Sequence, residues 1–413
     1  MKYVIIGNST AAIGCIEGIR SVDKDGELTV ISKENYHTYS RPLISYYLQG
    51  KTDMEKMKYR PDSFYADNHV TLMLGCEVQK IDIKKKAVIL DNGESVSYDK
   101  LMLATGSQPF IPPIKGIDEP ENIFTFMSMD DAENLSAKLT ADSNVLIVGA
   151  GLIGLKCAEG IFSRVASVTI VDFADRILPN VLDTDGAKMV QSYLENKGLE
   201  FILSASVSEF SKNSALLSNG ETVCFDIVVI AVGVRPNTQL LCDLGCDAKR
   251  GVCTNGSLET EFSDIYAAGD CTLSLDISSG ENKILALLPN AYLQGETAGI
   301  NMAGGEKLYE NPIPMNATKL FGLPIVTAGS YSGNEYVVIG ENQYKKLVTK
   351  DNYFKGFILI GSIERAGIYT SLIMDRVPLD SIDFDLIKDK PQLMAFSKSQ
   401  RQQKLGGLKN AKN

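Results

Sequence analysis

At 413 residues, 44% hydrophobic and 22% charged, the chain has an ordinary globular composition and enough length for two or three domains with substantial cores. A formal net charge of −10 argues against a nucleic-acid surface, because docking on a phosphate backbone needs clustered positive charge. No apolar run approaches the length of a membrane span; even Ile227-Val228-Val229-Ile230-Ala231-Val232 is short and reads as a core strand.

The first element in chain order is the apolar run Tyr3-Val4-Ile5-Ile6. It is too short for a secretion signal and predicts a buried strand, so the expected location is cytoplasmic. The strand runs into Gly7-Asn8-Ser9-Thr10-Ala11-Ala12 at the start of a helix. Glycine is needed where the chain bends sharply or approaches a pyrophosphate, and the helix N-terminus offers free N–H groups and a partial positive charge to the phosphates. The next strand, Leu28-Thr29-Val30-Ile31, is followed by Glu34, an acidic residue placed to receive ribose hydroxyls. Ser9 and Ala12 replace the second and third glycines of the usual turn.

A later strand, Lys100-Leu101-Met102-Leu103, ends in Ala104-Thr105-Gly106-Ser107, small residues that let the backbone pass a bulky cofactor. Pro109, Pro112 and Pro113 then mark a stiff crossing between domains. The pattern now repeats. Val145-Leu146-Ile147-Val148 enters Gly149-Ala150-Gly151-Leu152-Ile153-Gly154, and the strand Val168-Thr169-Ile170-Val171 ends at Asp172. This second turn carries all three glycines and the acidic residue at the right spacing. Ala231-Val232-Gly233 repeats the small-residue strand end, Arg235-Pro236-Asn237 marks the return crossing, and Ile265-Tyr266-Ala267-Ala268 leads into Gly269-Asp270. A helix is predicted to begin near Asn290, after Pro289. Either glycine turn alone could be a plain α/β crossover; two in one chain imply two dinucleotides face to face.

Eight cysteines and two histidines, His37 and His69, show neither metal-site spacing nor a Cys-x-x-Cys pair. The cysteines are expected to be reduced and structural, although Cys157 and Cys271 fall close to the expected cofactors. After residue 310, strand-like Glu335–Ile339 and Gly356–Gly361 precede a helical stretch over Arg365–Ile373. Lys398, Arg401, Lys404, Lys409 and Lys412, with no acidic residue among them, read as a solvated flexible tail, docking of an acidic partner being the alternative.

The ordered series of glycine turn, Ala-Thr-Gly, second glycine turn, Ala-Val-Gly and Ala-Gly-Asp resembles the pyridine-nucleotide-linked flavoprotein reductases with two dinucleotide-binding domains. The likeness covers roughly residues 1 to 375 and is strongest to NADH:rubredoxin oxidoreductases, ferredoxin reductases and the flavin portion of assimilatory nitrite reductase. It implies an α/β fold of two Rossmann-like domains and a smaller C-terminal α+β domain. FAD would occupy 1–112 and 235–309, NAD(H) 113–234, and an interface domain 310–397, which allows a homodimer; 398–413 would be the tail.

Carried over by position, the resemblance implies that Gly7, Ser9, Thr10 and Ala11 cradle the FAD pyrophosphate and Glu34 takes the adenosine ribose. Arg41 and Pro42 lie beside the flavin, Ala104, Thr105 and Gly106 along it, and Gly269 and Asp270 at the ribityl or pyrophosphate region. The helix after Pro289 and Asn290 points at the flavin ring. Gly149, Gly151, Leu152, Ile153, Gly154, Asp172 and Gly233 hold the nicotinamide dinucleotide. Asp172 repels a 2′-phosphate and favours NADH, a preference that Arg176 moderates.

Many ferredoxin reductases carry a lysine and a glutamate where this chain has Tyr46 and Lys156. Lys156 is therefore the candidate catalytic cation, supplied from the nicotinamide-domain helix; the alternative is a surface lysine whose stem packs on that helix. Peroxide, oxygen and coenzyme A disulfide reductases of this kind carry a redox cysteine after the ribose site, but Tyr36 to Lys51 contains none. The expected activity is thus hydride transfer from NADH to FAD, then single electrons to a small iron–sulfur carrier such as rubredoxin or ferredoxin, in either direction. An NADH oxidase and a flavin-holding docking subunit of a larger redox complex remain alternatives.

Overall fold

The computed structural model describes residues 1–310 and 312–405. They form two compact units: Met1–Pro179, Leu194–Leu275 and Asn282–Pro312 make the first, and Asn180–Tyr193, Asp276–Glu281 and the described residues from Ile313 to Leu405 make the second.

The first unit is built twice on one plan. Strand β1 (Lys2–Ile6) leads through the first glycine turn into helix α1 (Thr10–Val22), followed by β2 (Glu27–Ser32), a short helix α2 (Ile44–Leu48), β3 (Val70–Leu74) and β4 (Lys100–Leu103). A three-stranded antiparallel meander, Val78–Asp82, Ala87–Leu90 and Ser95–Ser97, lies between β3 and β4. The chain crosses over at β5 (Ser107–Pro109) and continues with β6 (Ile123–Phe124), β7 (Asn144–Val148), helix α3 (Leu152–Ile161), β8 (Ser167–Val171) and β9 (Glu200–Ile202). A second antiparallel meander, Val207–Ser211, Ser214–Leu217 and Thr222–Cys224, precedes β10 (Ile227–Ile230). The return passes through β11 (Val234–Pro236) to β12 (Ile265–Ala267) and helix α4 (Leu288–Met302).

Both sheets are parallel and five-stranded, ordered β12-β4-β1-β2-β3 and β9-β8-β7-β10-β6. In each, the strand order reverses beside the strand that feeds the glycine turn, opening a crevice at the strand ends where a ligand can lie. Near-continuous apolar runs such as Val145–Val148 suit strands covered on both faces. The expected crossings form one antiparallel ribbon, β5 against β11. The Asn237 side-chain amide donates to the Thr105 carbonyl at 2.9 Å, and the Thr105 hydroxyl donates to the Asn237 carbonyl at 2.6 Å.

Helices α1 and α4 pack at unusually close range. A Cβ at Gly14 would lie 2.3 Å from the Tyr292 carbonyl oxygen, at Gly18 2.4 Å from that of Glu296, at Gly295 1.9 Å from that of Ala11, and at Gly299 2.2 Å from that of Cys15. Partner numbers rise together along the two helices, so they run parallel with their N-termini side by side.

The second unit is α+β, as expected for the C-terminal region. Its antiparallel sheet is ordered Met315–Leu320, Leu323–Gly329, Tyr353–Ile360, Gln343–Lys350, Asn334–Gly340, and helix Ala366–Met374 contributes Tyr369 to a core with Phe354 and Phe357. The expected boundaries need correction at 180–193 and 276–281, which belong to this unit and not to the nucleotide-binding domains. Asp183 explains the first: its carboxylate accepts from the Tyr344 hydroxyl at 2.6 Å and lies 3.0 Å from the buried Lys346 ammonium. The basic tail also needs correction, since Lys398–Leu405 is a helix; Lys409 and Lys412 fall outside the described residues.

Overpacking a tight contact costs about 1–3 kcal/mol. Gly295→Ala is therefore expected to lower the melting temperature followed by circular dichroism. Gly151→Ala, whose methyl would meet nothing within 4 Å, should lower it less, by no more than the loss of a favoured N-cap residue.

Candidate functional site

A cavity of ≈ 950 Å³ lies at the ends of β1 and β4, at the upper end of the roughly 300–1,000 Å³ range of cofactor sites. It brings together Gly7, Ser9, Thr10, Ala11, Glu34, Arg41, Ala104, Thr105, Gly106, Gly269 and Asp270 from the residues singled out in the sequence. Pro42, Pro289 and Asn290 do not line it, although Leu288 and Ala291 on the same first turn of α4 do. Cys76, Val78, Thr238 and Leu240 also line it; Cys76 and Val78 belong to no motif, and Thr238 and Leu240 follow the Arg235-Pro236-Asn237 crossing, whose signal was for a turn between domains and not for a ligand.

Gly7 has φ +111°, and a Cβ there would sit 2.1 Å from the Ala104 carbonyl oxygen, so its glycine is demanded by the fold. Ser9 precedes α1 in extended conformation and Leu287 precedes α4; neither makes a side-chain capping bond. Ser128, by contrast, caps the helix Met129–Ser136 with a full capping box. The uncapped ends leave first-turn N–H groups of two helices available to an anion at the cavity.

Glu34 is half-buried and held in place. The Arg41 guanidinium donates to its carboxylate, and the Tyr39 hydroxyl donates to Oε2 at 2.9 Å while accepting from Arg41 at 3.2 Å. Burial pushes the Tyr39 hydroxyl well above its ordinary range. A carboxylate offers about four acceptor positions, so Glu34 retains capacity for ribose hydroxyls. Asp270 is raised chiefly by desolvation, opposed by a bond from the Ser107 hydroxyl at 3.4 Å and by the charge of Arg41.

The second turn repeats the first. Gly149 has φ +117° and a Cβ there would meet the Ala231 carbonyl oxygen at 2.3 Å, while one at Gly154 would meet that of Gly149 at 2.0 Å. Gly151, at the N-cap of α3 and next to Leu152 and Ile153, has ordinary negative φ and open space around it, so nothing in the protein itself requires its glycine. That vacancy is what close approach of a pyrophosphate needs. Gly233, with φ +116°, likewise faces open space. Asp172 accepts from the backbone N–H of Ala150 at 2.6 Å and of Ala174 at 2.8 Å, which fixes its carboxylate against the turn. Arg176 pairs with Asp175 at 2.7 Å.

Lys156, on α3, does not line the cavity. It lies 4.8 Å from the Tyr46 ring centroid and pairs with Glu159, so the two positions that depart from the resemblance are in contact. Cys15, Cys157 and Cys271 are fully buried, with their thiols pushed up by desolvation, which makes them poor nucleophiles. No helix among the described residues is long and apolar enough to cross a membrane.

Paired parallel sheets, a glycine turn at each reversal of strand order and an acid beyond each second strand define a protein that holds two dinucleotides. The family described as pyridine nucleotide-disulphide oxidoreductase matches residues 1–295, and the chain belongs to it. It is an NAD(P)H-dependent oxidoreductase that uses FAD and NAD(H). The chain is 31% identical to nitrite reductase [NAD(P)H] of Bacillus subtilis over 390 residues, covering 92% of this chain but only 48% of that one. It is 29% identical to the NADH-dependent phenylglyoxylate dehydrogenase subunit epsilon of Aromatoleum evansii, covering 92% of each. A solved putidaredoxin reductase–putidaredoxin complex shares the fold, with a TM-score of 0.86, 22% identity and 99% of both chains covered. Other relatives are named rubredoxin-NAD(+) reductase and NADH oxidase.

Because the native carboxyl of Asp270 is raised, the folded apoprotein keeps its proton to higher pH than the unfolded chain does. Its contribution to stability is fullest below the ordinary carboxylate range and is lost as pH rises through the raised value. Asp270→Asn is expected to raise the apoprotein melting temperature at neutral pH, a gain that vanishes in acid, and to weaken FAD binding.

Proposed function

We propose that the protein is an NADH-dependent reductase of a small iron–sulfur carrier, rubredoxin or ferredoxin, able to run in either direction. The flavin supplies the two-electron to one-electron conversion, accepting a hydride and releasing electrons singly. The observation that carries this reading is the pairing of two dinucleotide crevices in one unit, with no cysteine from Tyr36 to Lys51 to divert the electrons into a disulfide. Residues 1–112 and 235–309 would serve FAD, with the corrections above, and 113–234 the nicotinamide. Glu34 would take the adenosine ribose, Arg41, which pairs with it, would be a further FAD contact, and Gly7 with Ser9, Thr10 and Ala11 would bring backbone N–H groups to the diphosphate. Gly149, Gly151 and Gly154 do the same for NADH, and the fixed carboxylate of Asp172 opposes a 2′-phosphate.

The equal-length relative from Aromatoleum evansii, named as a subunit, favours a second reading: a flavin-holding subunit that docks within a larger redox assembly. Anaerobic stopped-flow mixing separates the two. Rapid loss of visible flavin absorbance with NADH, and slow loss with NADPH, is expected of the reductase. Bound FAD that NADH leaves unbleached would sink that reading in favour of the subunit, and fast turnover in air without any carrier would identify an NADH oxidase.

Lys156 would place a cation on the Tyr46 ring at the contact of α2 and α3 and so bias electron density at the flavin. Lys156→Ala is expected to slow bleaching about tenfold, equivalent to roughly 1.4 kcal/mol of barrier, and to shift the flavin potential. An unchanged rate and potential would leave Lys156 as a packing residue.

A further inference from the structure

Helix α2 is five residues long, too short to hold its shape by its own hydrogen bonds, so its place is set by what it packs against. Those neighbours come from the nicotinamide half of the unit. Gly160 on α3 lets the two helices touch: a Cβ there would meet Leu48 Cβ, Leu48 Cδ1 and the Ser45 carbonyl oxygen, each at 3.2 Å. Ile44, Ser45 and Leu48 are buried.

Arg164 closes this contact from the 3-10 turn Phe162–Arg164 that follows α3. In the last turn of α2 the carbonyls of Ser45, Tyr46 and Tyr47 accept from the N–H groups of Gln49, Lys51 and Gly50. That of Leu48 accepts instead from Arg164 Nη1 at 3.1 Å. The same guanidinium donates to the Ser136 hydroxyl oxygen at 2.9 Å and to the Ser136 carbonyl at 3.3 Å, at the end of the helix Met129–Ser136. One cation thus serves the carbonyl ends of two helices, where the partial charge is negative. The other end of Met129–Ser136 grips the same stretch of chain, for the Met129 N–H donates to the Tyr39 hydroxyl at 3.0 Å and Arg41 donates to the Met127 carbonyl at 3.3 Å. The stretch from Tyr39 to Leu48, which carries Arg41 to the cavity, is pinned at both ends by residues of the 113–234 half.

Hydride transfer needs the reacting atoms about 3–3.5 Å apart, and a small misplacement slows such a step sharply. With the donor and the acceptor held by different halves, that distance depends on how firmly the halves are registered. The β5–β11 ribbon is one tie between them, and the α2–α3 contact is a second.

We propose that Arg164 is a positioning residue for the hydride step: by fastening the carbonyl end of α2 to the nicotinamide half, it holds the two nucleotide sites at the transfer distance. The inference rests on the reading of the protein as a reductase with FAD and NADH on separate halves.

Two measurements test it. In anaerobic stopped flow, Arg164→Gln is expected to lower the limiting rate of flavin bleaching at saturating NADH about tenfold, with the half-saturating NADH concentration and the flavin potential unchanged. Arg164→Lys, which keeps a cationic donor for the Leu48 carbonyl, should recover most of the rate. Gly160→Ala, which wedges the same contact from α3 with Arg164 intact, should slow bleaching as well. In the apoprotein, hydrogen–deuterium exchange over residues 44–51 should quicken about tenfold in Arg164→Gln, the weight of one charge-assisted bond, while exchange in α1 and α4 stays as in wild type. Faster exchange with an unchanged limiting rate would mark a merely structural arginine and overturn the proposal, and so would exchange equal to that of wild type. Wild-type protein whose bound FAD was not bleached by NADH would instead remove the reading on which the inference stands.

Discussion

Helices α1 and α4 lie parallel with their backbones nearly touching, because Gly14 and Gly18 on one and Gly295 and Gly299 on the other leave no side chain between them. Parallel helices set like poles side by side. Two half charges about 8 Å apart repel by roughly 0.5 kcal/mol at an effective dielectric of 20. The small penalty accompanies a useful result: both uncapped N-termini open on the same cavity, where an anionic ligand is favoured by both. Dispersion and close backbone contact along the seam offset the repulsion. The position of the whole cofactor cleft follows from this seam, since α1 begins at the first glycine turn and α4 follows the Gly269-Asp270 segment.

The same device recurs at both strand-order reversals. In each sheet a positive-φ glycine leaves the first strand and its Cα approaches the carbonyl at the end of the neighbouring strand, Gly7 at Ala104 and Gly149 at Ala231. A side chain at either would push the strands apart and close the crevice. The β5–β11 ribbon, stitched by Thr105 and Asn237, joins the two copies through the segments that end those same strands. Cofactor geometry and domain connection thus depend on the same few residues.

Charge in the first unit is arranged before any ligand arrives. Glu34 is oriented by Arg41 and Tyr39, and Asp172 by the N–H groups of Ala150 and Ala174. Such fixed acceptors lower the ordering cost of binding. Asp270 shows the opposing term: its desolvated carboxyl weakens the empty fold at neutral pH and is retained beside the ligand cavity, a stability cost of the kind functional sites carry.

The sequence alone determined the two glycine turns, the acids after the second strands, the small-residue strand ends and the α+β character of the C-terminal region. These are local signals, in which a few adjacent residues must satisfy one backbone geometry, and local constraints are written in adjacent letters. It also placed Tyr46 and Lys156 as a pair by their joint departure from the resemblance. Only the tertiary structure decided which glycines serve the fold and which leave room for a ligand, because Gly154 and Gly151 read alike until their surroundings are known. The α1–α4 seam and the transfer of Asn180–Tyr193 to the second unit through Asp183 both join residues distant in the chain. Each depends on which atoms are brought within a few ångströms by packing, and no spacing along a sequence encodes that distance.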